Sequence, residues 1–214
     1  MICLGDSHAE VFEQLDLPGF ALDVYRVEGA TASGVENPNS QTQAGTHFRG
    51  RLRKASREQP VVVLLGEVDC GFVIWYRAAK HGTSVDDELA RTLDGYASFL
   101  ADVHASHPNL IVVSAPPPTI VDGQTWGAVA NARSEIAASQ RERTELTLRF
   151  NDAVREICAR EGLAFCDVTP QMLGDDGLIA GRFRNADPLD HHLDSASYAT
   201  LLAPELLRAL DARD

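Results

Sequence analysis

Two groups of residues at opposite ends of the chain could together do nucleophilic chemistry. Near the start is Gly5-Asp6-Ser7-His8, and near the end is Asp187-Pro-Leu-Asp190-His191-His192-Leu193-Asp194. A serine hydroxyl becomes a useful nucleophile when a histidine within hydrogen-bond reach takes its proton and a carboxylate fixes the histidine's tautomer. Ser7, His192 and Asp190 are the candidates for those parts, with Asp187 as the alternative carboxylate and His191 as a secondary histidine. Two plainer readings stand beside this one. Asp6 and Ser7 are both favoured N-cap types, and on that reading they do no more than start a helix. The adjacent histidines with their aspartates lack the spaced third histidine that a metal-ligand pattern would add.

For the two groups to meet, the elements between them must bring both to one edge of a sheet. Met1 to Leu4 is an apolar run of strand type leading into the Ser7 turn, followed by a helical pattern at Val11, Phe12 and Leu15. Further strands are expected at Phe20 to Val27, Pro60 to Leu65, Leu110 to Val113 and Leu163 to Val168. The third is a continuous apolar run, as in parallel strands buried on both faces. Helical spacing marks Val85 to Val103, Leu146 to Ile157 and Tyr198 to Leu210, the last interrupted or restarted at Pro204. Arg49, Arg51, Arg53, Lys54 and Arg57 form one basic cluster, read as a solvated helix face. Residues 119 to 138, with Trp126, have no clear period and are expected to form a loop or lid beside the site. Strand and helix alternate without repeats or linkers. This predicts one domain over residues 1 to 214, a three-layer α/β/α sandwich on a flavodoxin-like, five-stranded parallel sheet. Ligands of such sheets gather at the carboxyl ends of the strands. Ser7 is expected there, beside the unpaired N–H groups and the dipole of an opening helix turn.

Composition narrows the partners. The chain has 19 Lys and Arg against 31 Asp and Glu, a net charge of −12. This argues against nucleic acid or an anionic membrane face and favours a neutral or cationic small molecule. No apolar run has the length of a membrane span, and no export signal is read at the N-terminus, so a cytoplasmic location is expected. Cys3, Cys70, Cys158 and Cys166 are widely spaced and form no Cys-x-x-Cys pair, so they are expected to be reduced packing residues. A nucleotide- or flavin-binding reading would want a glycine-rich phosphate loop, and none is present.

Four short blocks, in order, make the chain resemble the SGNH/GDSL hydrolase family over nearly its whole length. Gly5-Asp6-Ser7 resembles the first block, with His8 where leucine usually stands. Gly29, in Val27-Glu-Gly-Ala-Thr31, resembles the glycine of the second block. Gly66-Glu67-Val68-Asp69 resembles the third block, Gly-x-Asn-Asp, except at Val68. His192-Leu193, followed by a Ser-x-x-Tyr helix start, resembles the last block. The resemblance implies a serine esterase or acetyl-group transferase acting on a small O-acyl ester, with no metal or organic cofactor. Ser7 is implied as nucleophile, His192 as base and Asp190 as its carboxylate. The backbone N–H groups of Ser7 and Gly29 are the implied oxyanion donors, with Asp69 also on the oxyanion or substrate side. The Gly-Glu-Val-Asp-Cys form of the third block resembles a subset associated with glycan modification, which implies an acetylated sugar or glycan precursor. Two departures belong to the site. The family's last block is Asp-x-x-His, but Leu189 stands three before His192. Val68 cannot donate the hydrogen bond that the family's asparagine gives to the oxyanion. These two changes also motivate a rival reading, a binding or scaffold protein on the same frame.

Overall fold

A computed structural model describes residues 1–123, 136–188 and 190–212. Five strands form one parallel sheet: β1 Ile2–Gly5, β2 Asp23–Arg26, β3 Val61–Leu64, β4 Leu110–Val113 and β5 Ala164–Cys166. Their spatial order is β2-β1-β3-β4-β5, as expected for the flavodoxin-like arrangement. In register, Ile2 lies opposite Val61 on one side and Asp23 on the other, and Val61 lies opposite Leu110.

Strand residues alternate between two cores, which is why the strands read as unbroken apolar runs. Ile2, Leu4, Val61, Val63, Leu110 and Val112 face one core. It is covered by α1 Ala44–Leu52, α2 Ile74–His81, α3 Val85–Ser106 and α4 Gln140–Glu161. Cys3, Val62, Leu64, Ile111 and Val113 face the other, where the 3-10 helix Ser7–Gln14 and α6 Ser195–Asp211 pack. A short α5, Thr169–Met172, joins that second core through Met172. The two long helices α3 and α4 each begin with a capping box, Ser84 with Asp87 and Ser139 with Glu142. All four cysteines are buried thiols outside any disulfide.

Some boundaries differ from expectation. β2 begins at Asp23, because Phe20 closes a turn onto Leu17 O and packs with Leu22 against the second core. β5 is only three residues long. The final helix starts at Ser195 and runs unbroken through Pro204. An interior proline removes one helix hydrogen bond, but Pro204 is exposed while Leu202 and Leu206 are fully buried and hold both flanks. Of the expected loop over 119 to 138, residues 124–135 with Trp126 lie outside the described residues. Among the described residues, no helix is long and apolar enough to cross a membrane.

Candidate active site

Because β1 and β3 are neighbours at the point where strand order reverses, the loops after them border the crevice where such sheets take ligands. Ser7 opens the 3-10 helix directly after β1 and is half-buried. Asp6 caps that helix. Its carboxylate accepts the His8 N–H at 2.8 Å and its carbonyl accepts the Ala9 N–H at 3.2 Å. The capping reading therefore holds for Asp6, and the same cap fixes the turn that presents Ser7.

The loop before α6 carries the other half. His192 Nδ1 lies 2.7 Å from Asp190 Oδ1, and the same oxygen accepts the His192 backbone N–H at 2.9 Å. Asn185 Nδ2 donates to Asp190 Oδ2 at 3.0 Å. An aspartate that bonds the backbone two residues on is a common turn device, and here it also delivers the carboxylate to the ring. Through that local turn Asp190, two residues before His192, reaches its ring. Asp187 enters through its backbone carbonyl, which accepts the Asp190 N–H at 3.0 Å. Partial burial raises the Asp190 pKa, but the bonds from the His192 backbone and ring outweigh it and hold the carboxyl below its usual range.

His192 Nε2 is buried and has no hydrogen-bond partner among the described residues. Against that ring lies His8, the neighbour of Ser7, with ring centroids 5.1 Å apart; His8 and His191 are 6.1 Å apart. Thus the two ends of the chain meet at one sheet edge. A further tie is the hydrogen bond from Ser195 Oγ to Glu10 Oε1, 3.0 Å, which joins the start of α6 to the 3-10 helix.

After β2 the chain turns at Gly29, with the Ala30 N–H bonded to Val27 O at 3.0 Å and Gly29 at φ +69°. A single positive φ at the third position of a turn is the type II pattern, which glycine suits. Asp69 is wholly buried, and its two oxygens accept the backbone N–H groups of Ala32 and Ser33 at 2.6 and 3.0 Å. The carboxylate therefore ties the Gly29 loop to the end of β3. Burial pushes its pKa up to about 6, opposed by the Ser33 and Ala32 donors and aided by Asp6. Gly66, at φ +123°, leaves no room for a Cβ: one would lie 2.5 Å from the Phe150 ring. Val68 is half-buried at the start of the π-helical turn Asp69–Val73, without a side-chain cap bond.

The sequence profile of the GDSL-like Lipase/Acylhydrolase family matches residues 3–199. The chain belongs to that family. No curated protein matches the sequence. Among solved structures it is similar to a GDSL-like lipase from Bacteroides thetaiotaomicron, at 14% identity and TM-score 0.58, over 100% of this chain and 88% of that one. An extracellular lipase from Streptomyces rimosus is similar at 15% identity and TM-score 0.57, over 97% and 98%. An acetyl xylan esterase is similar at 12% identity and TM-score 0.58, over 98% and 100%. These likenesses show the shared α/β fold.

Several buried or bonded residues at or near the candidate site carried no assignment in the sequence. His8, read only as a replacement for leucine, is buried, with Nδ1 3.3 Å from Asp6 Oδ1 and 3.8 Å from Glu67 Oε2. Glu67 is buried as well. Asn185 gave no signal, since its partner Asp190 is found through a turn. Asn151 is a polar residue on the apolar face of α4, and that mismatch was a usable signal. Its side chain bonds both the N–H and the carbonyl of Ala115 at the end of β4, at 2.8 and 2.9 Å. In the polar loop after Gly29, Asn37 Oδ1 accepts from the Asn39 N–H, and Ser40 Oγ pairs with Thr42 Oγ1.

Proposed function

We propose that the protein is a serine esterase for small O-acyl esters, with Ser7, His192 and Asp190 as its triad. The observation that carries this reading is the His192–Asp190 pair, 2.7 Å apart, whose remaining ring nitrogen is unbonded beside the Ser7 turn. Ser7 Oγ attacks the acyl carbonyl while His192 Nε2 takes its proton, and the carbonyl oxygen becomes an oxyanion held by the backbone N–H groups of Ser7 and Gly29. Collapse of the tetrahedral intermediate breaks the ester bond, and His192 returns the proton to the departing alcohol. Water, deprotonated by His192, then cleaves the acyl-enzyme. An acceptor alcohol in place of water would make the same chemistry an acyl transfer.

An acylated carbohydrate fits the substrate side. One structural neighbour is an acetyl xylan esterase. A pocket of about 200 Å³ adjoins Asp190, and its lining includes the polar side chains of Thr119, Arg184, Asn185 and Asp187. Asp69 contributes by holding the second-block loop in place.

Incubation with a fluorophosphonate followed by mass spectrometry is expected to find the adduct on Ser7. Equal labelling of the Ser7→Ala variant would overturn the assignment.

The binding-protein reading is favoured by one feature, Val68 in place of an oxyanion donor. Losing such a donor costs on the order of 10²–10³ in rate in a comparable serine enzyme. Val68→Asn is expected to raise kcat on a p-nitrophenyl acyl ester about tenfold or more with little change in KM, because the contact is made mainly in the transition state. An unchanged kcat in the folded variant would mean that position 68 does not face the oxyanion. Absence of Ser7-dependent turnover in both proteins would favour binding.

A further inference from the structure

The loop that carries the proposed base holds more donors than a triad needs. Asp190, His191 and His192 each offer one ligand atom, and these atoms lie within 4.8 Å of one another. The two histidine rings are 4.1 Å apart between centroids. All three residues are half-buried. The loop is also held in place, because Thr119 Oγ1 donates to the His191 carbonyl and Asn185 to Asp190.

Two imidazoles and a carboxylate are the donor set of borderline divalent metals such as zinc. Zinc bonds nitrogen and oxygen at about 2.0–2.2 Å with tetrahedral geometry, so two ligands of one ion lie roughly 3.3–3.6 Å apart. Closing a 4.8 Å spread to that span requires side-chain rotations that bring the two farthest ligand atoms about 1.2–1.5 Å closer. The chain's net charge of −12 raises the local concentration of cations.

We propose that Asp190, His191 and His192 form a zinc-type metal site, and that an ion bound there silences the enzyme. The ion takes lone pairs of the imidazole and carboxylate that would otherwise work on Ser7, so occupancy and proton transfer exclude each other. His191 gains a role as the ligand that the reaction itself does not require. The inhibitory half rests on the esterase reading; the binding half does not.

Untagged, EDTA-treated protein is titrated with Co²⁺, followed by its visible d–d absorption and then by displacement with Zn²⁺. One ion per chain is expected, with affinity at least about tenfold weaker in His191→Ala. His191→Phe keeps a ring against His8 and His192 and is expected to behave alike, while His47→Ala on α1 keeps wild-type affinity. No saturable binding in the wild type, or wild-type affinity retained in both His191 variants, overturns the site. In a second arm, Zn²⁺ inhibits hydrolysis of a p-nitrophenyl ester, with half-inhibition at a tenfold or higher concentration in His191→Ala relative to that variant's own metal-free rate. Full activity with zinc bound overturns the inhibitory half. If no protein turns over ester, the esterase reading fails while the Co²⁺ titration still decides the site.

Discussion

Ser7→Ala and His192→Ala are each expected to lower kcat by about 10⁴-fold or more, and Asp190→Asn by about 10³–10⁴, with KM changing far less. The ordering follows from the geometry. On the proposed mechanism, no acyl-enzyme would form without Ser7, and without His192 the hydroxyl would keep its proton. An asparagine in place of Asp190 would still fit the turn, but its neutral amide lacks the charge that would stabilise the imidazolium formed on proton transfer. The three losses should not add, because the residues act as one unit. His191→Ala is expected to keep most of the activity, since the ring paired with Asp190 is that of His192. Steady-state kinetics on a p-nitrophenyl ester, with thermal melts to confirm folding, measures all four. A larger loss in His191→Ala than in His192→Ala would reverse the assignment of the base.

The second large effect is expected at a residue that need not touch substrate. In Asp69→Ala the buried N–H of Ala32, at about 1–3 kcal/mol, and the half-buried N–H of Ser33 lose their acceptors, and the loop bearing Gly29 is no longer tied to β3. A displacement of about 1 Å in an oxyanion donor can cost on the order of 10² in rate, and a kcat loss of that size is expected here. The pH dependence separates this role from simple destabilisation. The folded carboxyl titrates near 6, above its ordinary value of 3.8. A raised carboxylate pKa contributes stability that is fully present below the unfolded value and is lost as pH rises through the folded one. The wild type should therefore lose stability between about pH 4 and 6, and Asp69→Ala should lack that fall. Its deficit in Tm is accordingly largest near pH 4 and smaller at pH 7. Parallel curves for the two proteins would remove Asp69 from the account.

Strand identity, sheet class and the four blocks were legible in the sequence because each rests on local physics. An apolar run such as Val61 to Leu64 can only be a strand buried on both faces when helices flank it on either side in the chain. Helix α3 announces itself by period and by Ser84 with Asp87 at its start. Boundaries were less legible where packing overrides local preference. Phe20 is a good strand residue spent on a turn, and Pro204 is a helix breaker tolerated because Leu202 and Leu206 are buried beside it.

Within the site, the order of residues supplies the chemical types: a serine after the first strand, and two histidines among aspartates before the last helix. Their pairings come from the folded chain. Asp190 reaches the His192 ring because its side chain folds back on its own turn, a choice between Asp187 and Asp190 that spacing leaves open. The deep position of His8 beside His192 joins residues from opposite ends of the chain, and no local pattern records a contact made only when β1 and α6 share a sheet edge. Asp69 is the clearest case. Its type suggested chemistry, but burial and two backbone donors from another loop make it the tether of that loop, because a carboxylate in the interior takes the hydrogen bonds that the fold brings to it.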